Sequence, residues 1–173
     1  MVKSAIRPAA IADAQAMADI YNYYVLNTPV TFEEEALSRE AMEDRIRSFT
    51  SLYPWFVWEE DGEIAAYAYA HMWHERTAYR HSVEDTVYVK QGFQRRGIGR
   101  TLLGMVVGEL KKQGVHAVMA VIAIPNEGSA ALHESLGFKK VGHFSEIGRK
   151  MGRWRDVGYW ELIIDESHEG DLP

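Results

Sequence analysis

The spacing of apolar residues predicts one strand and two helices in the first third of the chain. Residues 5–7 form a short strand that ends at Pro8, and apolar side chains then recur at helical spacing over residues 17–25. Ser38 suits the N-cap of the second helix, since its hydroxyl can accept a hydrogen bond from a free amide of the first turn. Residues 30–32 are expected to be a short extended segment between the helices.

The middle of the chain predicts an antiparallel sheet. Residues 55–58 and 64–70 carry aromatic and aliphatic side chains and flank an Asp61-Gly62 turn, a pattern typical of a β-hairpin. A further strand is predicted at residues 82–89. The central part of the sheet is therefore expected to be antiparallel.

The second half of the chain predicts a parallel connection. Residues 97–113 have the apolar spacing of an amphipathic helix, Gly114 suits its C-terminal cap, and residues 117–124 are almost wholly apolar. Such a run suits a strand buried on both faces, and the succession of strand, helix and strand favours a parallel crossover in a mixed sheet. The remaining predicted elements are a short helix that ends at Gly137, strands at roughly residues 139–146 and 157–164, and a loop with glycine and arginine residues between those strands.

The composition suits one globular domain. With 173 residues, 47% of them hydrophobic and 25% charged, a single domain is predicted at residues 1–164 and a polar tail at residues 165–173.

The net charge of -6 argues against a nucleic-acid partner. The absence of cysteine excludes disulfides, thiolate metal sites and a covalent acyl-thiol intermediate, and no metal is expected. Neither a signal peptide nor a long apolar run occurs, which predicts a cytoplasmic protein with no membrane partner.

A glycine loop joins the strand at residues 82–89 to the long helix. Its sequence at residues 94–100 is Gln-Arg-Arg-Gly-Ile-Gly-Arg. The unpaired amides of the first helical turn and the positive end of the helix dipole can hold a pyrophosphate there, and the glycines let the backbone approach the anion. A Walker A motif fits poorly, because Gly-Arg-Thr stands where Gly-Lys-Ser or Gly-Lys-Thr is needed, and the third glycine of a Rossmann motif is missing.

Two segments resemble the acyl-CoA signature of the GNAT N-acetyltransferase superfamily. The first is Gln-x-x-Gly-x-Gly at residues 94–99, preceded by Val-Tyr-Val, and the second is residues 126–138, which begin with Asn and close with Leu-Gly-Phe. The resemblance implies an α/β (α+β) fold with a central mixed, mostly antiparallel sheet of about seven strands flanked by about four helices. It also implies acetyl-CoA as co-substrate, bound through Val87, Tyr88, Val89, Gln94, Arg95, Arg96, Gly97, Ile98, Gly99, Arg100, Asn126 and Ser129.

Nearly the whole chain resembles the phosphinothricin and methionine sulfoximine N-acetyltransferases of that superfamily. The segments that carry this similarity include residues 21–24, 31–32, 53–55, 61–63, 68–70, 83–89, 132–134 and 152–158. It implies transfer of an acetyl group to the α-amine of a small amino-acid-like substrate by direct attack, in an enzyme that is a homodimer. Arg76 would grip the substrate carboxylate bidentately. The substrate-binding residues that the similarity implies are Phe32, Arg76, Tyr79, Glu84, Thr86 and His133.

Glu84 is the predicted general base. An amine with a pKa of ~10.4 is mostly protonated, so only about one molecule in a thousand is a free nucleophile at neutral pH. Glu84 stands on the strand that leads to the glycine loop. In the enzymes that this segment resembles, the matching glutamate is assigned to deprotonation of the amine. Strand side chains alternate faces, so Glu84 and Thr86 share one face while Asp85 takes the other. Only one acid is therefore expected to face the cleft.

His133 is the second predicted catalytic residue. It occupies a position in the second motif where many members of the superfamily carry a tyrosine that can protonate the departing thiolate. Histidine can donate a proton near neutral pH, although a lone histidine is more often a hydrogen-bonded structural residue. General acid and substrate ligand are both open roles for His133.

Two other functions stay open at this point. A peptide or protein N-terminal acetyltransferase would need an open groove where a closed aromatic pocket is expected. A non-catalytic acyl-CoA-binding sensor would keep the glycine loop and lack a working base. The chain also departs from related sequences at Ala66, His71-Met72 and Ala123, which leaves the identity of the amine open.

Overall fold

The computed structural model describes residues 3–164, in which seven strands form one sheet and four helices pack on it. The predicted polar tail at residues 165–173 lies outside the described residues. None of the helices within them is long and apolar enough to cross a membrane. The elements are β1 (Ser4–Pro8), α1 (Ala14–Asn27), α2 (Arg39–Thr50), β2 (Trp55–Glu60), β3 (Glu63–Met72), β4 (Ser82–Val89), α3 (Ile98–Lys112), β5 (Ala117–Ile124), α4 (Glu127–Ser135), β6 (Lys139–Lys150) and β7 (Arg153–Ile163).

The strand order is β1-β2-β3-β4-β5-β7-β6. β4 and β5 run parallel, whereas the other neighbouring pairs among the described residues are antiparallel. This arrangement confirms the predicted mixed, mostly antiparallel sheet. The parallel pair is joined through α3, as the apolar pattern predicted, because parallel neighbours need a long crossover.

Local signals mark the helix ends as predicted. The Ser38 hydroxyl accepts a hydrogen bond from the amide of Ala41 at 3.1 Å, so it caps α2. Gly114 follows α3 with a φ of 73°, the left-handed conformation that glycine adopts without steric cost.

The two faces of β3 carry side chains of different size. Ala66, Ala68 and Ala70 are buried against α3, and their small size lets the helix approach the sheet closely. Tyr67 and Tyr69 point to the opposite face and pack with α1 and α2. Strand alternation therefore divides the core into two layers, one on each side of the sheet.

The last two strands are longer than predicted. The segment expected to be a loop continues the ladder, so that β6 extends to Lys150 and β7 begins at Arg153. Met151 and Gly152 connect them with φ values of 53° and 73°, as in a two-residue hairpin turn. Register shifts after Lys140 and Phe144 interrupt the alternation that sequence reading relies on. The predicted loop is therefore wrong, and a long hairpin replaces it.

We expect Leu102→Ala to destabilise the protein much more than Met105→Ala. Leu102 is fully buried under the sheet, whereas Met105 on the same helix is 39% exposed. Removing a buried leucine costs about 2–5 kcal/mol, while an exposed substitution costs less than about 1 kcal/mol. Urea unfolding of both variants measures the difference. Equal losses would mean that α3 does not pack as described.

Candidate active site

The sheet opens between β4 and β5. These parallel strands pair only between residues 82–84 and residues 117–119. β4 nevertheless stays paired with β3 as far as Val89, and β5 stays paired with β7 along its whole length. Beyond Glu84 the two strands therefore diverge, and the strand edges that face the gap have no ladder partner. Such edges are available to a ligand with hydrogen-bonding groups.

Two adjacent cavities occupy this opening. A cavity of about 230 Å³, which we call the strand cavity, lies between β4 and β5. A larger one of about 520 Å³, the loop cavity, lies against residues 93–100 and α4. Val87, Asn126 and Ser129 line both, so a single extended ligand can occupy the two.

The glycine loop presents the start of α3 to the loop cavity. Gly97 is the N-cap residue, has a φ of 78°, and provides no side chain to bind the first-turn amides. Those amides and the helix dipole therefore favour an anion at this position. Gly99 serves packing instead, because a Cβ there would lie 3.0 Å from the Leu132 side chain and 3.5 Å from those of Val87 and Val89.

The arginines of the loop have different partners. Arg95 and Arg100 line the loop cavity, and Arg100 also donates to the Ser135 hydroxyl at 3.1 Å. Arg96 does not line it, because its guanidinium pairs with Glu60 at 2.7 Å. The other predicted cofactor residues that line this cavity are Val87, Tyr88, Val89, Gln94, Gly97, Ile98, Gly99, Asn126 and Ser129.

Glu84 is a partly buried carboxyl group in the strand cavity. Burial, with a smaller contribution from the charge of Asp85, raises its pKa from 4.5 to about 7. The titratable His71 on β3 lies nearby, with its Nε2 3.9 Å from the Glu84 carboxylate, and burial lowers the pKa of His71 and so favours its neutral form. A carboxylate with a pKa near neutrality is a stronger base than an ordinary glutamate.

Asp85 also lines the strand cavity, so the expectation that only one acid faces the cleft is wrong. Alternation along β4 holds, since Glu84 and Thr86 lie on the α1 and α2 side and Asp85 lies against α4. However, the gap between β4 and β5 passes through the sheet and reaches both faces. Alternation alone therefore does not exclude a side chain from this cavity.

His133 is buried and bonded through both ring nitrogens. Its Nδ1 lies 2.7 Å from the Ser129 carbonyl, which can only accept, so Nδ1 carries a proton. Its Nε2 lies 3.3 Å from Asp85, and the ring packs edge-on against Phe138. Burial lowers the pKa of His133, but the hydrogen bond and charge of Asp85 outweigh burial and raise it overall.

The predicted substrate residues are not all brought together. Phe32, Glu84, Thr86 and His133 line the strand cavity. Arg76 and Tyr79 are exposed in the turn that follows β3 and line neither the strand cavity nor the loop cavity.

Sequence reasoning missed a contact that holds the loop after α1 over the strand cavity. The buried Lys150 donates to the Thr31 carbonyl at 2.6 Å, and the Tyr21 hydroxyl bonds the Thr31 side chain at 2.8 Å. The Phe32 ring occupies the space that a Cβ at Gly148 would take. The contacts of Lys150 with Thr31 and of Gly148 with Phe32 join residues more than 100 positions apart, so no local pattern signals them.

A third cavity of about 380 Å³, the side cavity, lies under α1 and α2. Glu84 and Thr86 line it together with His71 and Arg45. Arg45 pairs with a carboxylate of the loop after α1, and its guanidinium lies 5.4 Å from the Tyr21 ring centre. Glu84 therefore borders both the side cavity, with its polar side chains, and the strand cavity.

Comparisons with known proteins show which proteins this chain is similar to. A family model described as an acetyltransferase (GNAT) domain matches residues 6–158. The phosphinothricin N-acetyltransferase of Streptomyces viridochromogenes is 41% identical over 156 residues, which are 90% of this chain and 85% of that protein. The L-methionine sulfoximine/L-methionine sulfone acetyltransferase of Salmonella typhimurium is 34% identical over 170 residues, covering 96% of this chain and 98% of the relative.

A solved structure extends the likeness to the whole fold. The structure of yncA, an acetyltransferase from Salmonella typhimurium with its cofactor acetyl-CoA, matches with a TM-score of 0.94 at 32% sequence identity. The match covers 99% of this chain and 99% of that one.

We expect Glu84→Gln to stabilise the fold in alkaline solution. A carboxyl group whose pKa rises from 4.5 to about 7 on folding binds its proton more tightly in the folded chain. Stability therefore falls as pH rises through that window, and the cost is fully present above pH 7. The stability difference between variant and wild type should grow by up to about 3 kcal/mol between pH 4 and pH 8.

Urea unfolding at each pH measures this difference. Glu75→Gln, which neutralises an exposed loop residue, is the matched control and should show no such growth. A pH-independent difference for Glu84→Gln would contradict the raised pKa.

Proposed function

Because the chain belongs to the GNAT acetyltransferase family, we propose that it transfers the acetyl group of acetyl-CoA to the α-amine of a small amino-acid-like substrate, such as phosphinothricin or methionine sulfoximine. The main support for this proposal is that Glu84, with a pKa of about 7, lines the strand cavity beside the loop cavity. A base and an anion-binding helix start are thus adjacent. The named activities of the relatives from Streptomyces viridochromogenes and Salmonella typhimurium support the choice of acceptor.

Acetyl-CoA would bind first, with its pyrophosphate at the start of α3. The first-turn amides after Gly97 supply donors, and Arg95 and Arg100 supply charge around the loop cavity. The thioester end would lie in the strand cavity, where the free edge of β4 near Val87 and Val89 offers backbone donors to the carbonyl oxygen. Acetyl-CoA is used in the cytoplasm, and we propose that location for the enzyme.

The chemistry would be a direct attack within a ternary complex. Glu84 accepts a proton as the amine nitrogen attacks the thioester carbonyl, and the carbonyl oxygen gains negative charge that the β4 amides stabilise. Collapse of the intermediate forms the amide and expels the CoA thiolate. His133, which lines the same cavity, supplies the proton that the thiolate takes. The chain has no cysteine, which supports transfer without an acyl-thiol intermediate.

The substrate carboxylate would bind to an arginine. Arg76, with Tyr79 beside it, stands outside the strand and loop cavities in the turn after β3, and no carboxylate between residues 3 and 164 forms an ion pair with it. Its five donors are therefore free to bind a carboxylate bidentately. Phe32 and Thr86 would border the rest of the acceptor in the strand cavity. The contacts of Thr31 and Phe32 with β6 narrow this cavity, which favours a free amino acid over a peptide.

We expect the wild-type chain to release CoA thiol when acetyl-CoA is mixed with phosphinothricin, methionine sulfoximine or methionine sulfone. Glu84→Gln should lower kcat by about 100-fold or more, because positioned general bases contribute that much. Its affinity for acetyl-CoA should stay within a few-fold of wild type, since the loop cavity is unchanged. A thiol-reactive dye and calorimetry measure the two quantities.

The outcome also separates the alternatives. A chain that binds acetyl-CoA but acetylates no amine would be a sensor, and one that prefers a peptide N-terminus would be a peptide acetyltransferase. Unchanged turnover in Glu84→Gln would remove the base assignment.

We also propose that the chain is a homodimer that associates through the β6–β7 hairpin. β6 is an edge strand, and exposed edges and apolar patches commonly mark association surfaces. The hairpin carries large apolar side chains that are 46–60% exposed: Val141, Phe144, Ile147, Met151 and Trp154.

We expect the purified chain to sediment as a dimer at micromolar concentration and Ile147→Glu to shift it toward monomer. A charge buried at an apolar interface has no partner and is costly to desolvate. Leu52→Glu is the matched control, because Leu52 is 65% exposed and lies outside the hairpin. A monomeric wild type, or equal dissociation in both variants, would rule out this interface.

A further inference from the structure

Asp85 and His133 form a buried pair, of which only His133 has a role in the proposed chemistry. Both side chains are almost completely inaccessible to solvent and both line the strand cavity. One Asp85 oxygen lies 3.3 Å from His133 Nε2, and the other, Oδ2, has no hydrogen-bond partner among the described residues. Buried carboxylates in folded proteins are normally bonded at both oxygens, so this half-satisfied group is exceptional.

The hydrogen bonds of His133 determine which of its protons can move. Its Nδ1 proton is held by the Ser129 carbonyl in a short bond of 2.7 Å. A proton on Nε2 instead makes the longer and weaker bond of 3.3 Å to Asp85. Nε2 is therefore the nitrogen that can give up a proton without breaking the bond that orients the ring.

We propose that Asp85 is a positioning residue that holds His133 in its doubly protonated form, so that His133 can protonate the CoA thiolate. This inference deepens the proposed function and rests on it. An isolated imidazolium in a buried site loses its proton readily, and a carboxylate at hydrogen-bond distance reverses that preference. Asp85 thus raises the pKa of the acid, His133, as burial raises the pKa of the base, Glu84.

The proton transfer balances in charge. The neutral pair of His133 imidazolium and Asp85 carboxylate gives the Nε2 proton to the thiolate, which becomes the neutral thiol. The pair is left with one negative charge, and the proton that Glu84 took from the amine returns to solvent as the pair takes one up. No further reactant is needed.

Several titratable groups lie close to Asp85, so the loss of its charge should change the pH dependence of the reaction in a specific way. The charge of Asp85 interacts with His133 on α4, with His71 on β3 and with Glu84, its neighbour on β4. After burial, the charge of Asp85 is the second cause that raises the pKa of Glu84, and it also opposes the effect of burial on His133. Removing that charge should therefore lower the pKa of base and acid together.

The test is the pH profile of kcat for Asp85→Asn. Asparagine keeps the shape of the side chain and an oxygen that can accept from Nε2, while it removes the charge and replaces the second oxygen with an NH2 group. Both limbs of the profile should move toward acid, so that the ratio of kcat at pH 8.5 to kcat at pH 6.5 falls by about fivefold or more relative to wild type. A structural defect would lower the whole curve without moving its limbs. Asp19→Asn, which removes one charge from an exposed position on α1, is the matched control and should leave both limbs in place.

A second measurement needs no substrate and tests the pairing directly. Nitrogen-15 spectra of the histidine rings, with His133 assigned from the His133→Gln variant, should show His133 more than half doubly protonated at pH 6.5 in the wild type. In Asp85→Asn it should lose its second proton at lower pH. His143, which pairs with Asp156 at 2.7 Å on the exposed hairpin, provides an internal reference that should not change between the two proteins.

The outcomes separate the inference from the function on which it rests. A wild type that releases no thiol with any amine would refute the proposed function and leave the ring titration valid. Unmoved limbs in Asp85→Asn, or the same titration of His133 in both proteins, would overturn the role of Asp85. If Asp85→Asn does not fold, the wild-type spectrum decides, because a singly protonated His133 at pH 6.5 contradicts the proposal.

Discussion

The divergence of β4 from β5 is the constraint on which the site depends. Each strand is held by a full ladder on its outer side, β4 by β3 and β5 by β7, so the gap between them cannot close without breaking one of those ladders. The free strand edges leave backbone groups without ladder partners, and such groups need hydrogen bonds from another source. An extended, polar ligand fits that requirement. The same divergence directs the carboxyl end of β4 toward the glycine loop, which brings the anion-binding helix start beside the cavity.

The divergence also explains a balance between stability and chemistry. Glu84 is buried where its charged form is poorly solvated, so its raised pKa is a cost to the folded state at neutral pH. The two core layers on either side of the sheet supply the surplus that lets the fold carry this cost. Active sites commonly hold such groups, because a base with a pKa near the working pH is also a group that burial destabilises.

Sequence reading predicted what depends on local pattern and missed what depends on distant contacts. Apolar spacing and turn residues were sufficient for β4, α3 and β5, and the glycine loop was identified because helix starts bind anions wherever they occur. The sequence predicts the outer parts of β6 and β7 as strands but their inner ends, near the turn, as a loop, because bulges break the alternation of β6. The contact of Lys150 with Thr31 joins residues far apart in the chain and has no local signal. Strand alternation keeps Asp85 out of the cleft only if the sheet is closed, and the gap between β4 and β5 opens it to both faces.

Adjacent positions on one strand can serve opposite ends of a reaction. In the proposed mechanism Glu84 receives the proton of the amine on one face of β4, while Asp85 keeps His133 charged on the other face. The alternation of a strand separates the two side chains by the thickness of the sheet, yet they remain sequence neighbours and act on each other electrostatically. The charge on Asp85 therefore raises the pKa of the base and opposes the burial of the acid at the same time. A single carboxylate in this position couples the two proton transfers, and its charge sets the pH range in which both groups are in their working forms.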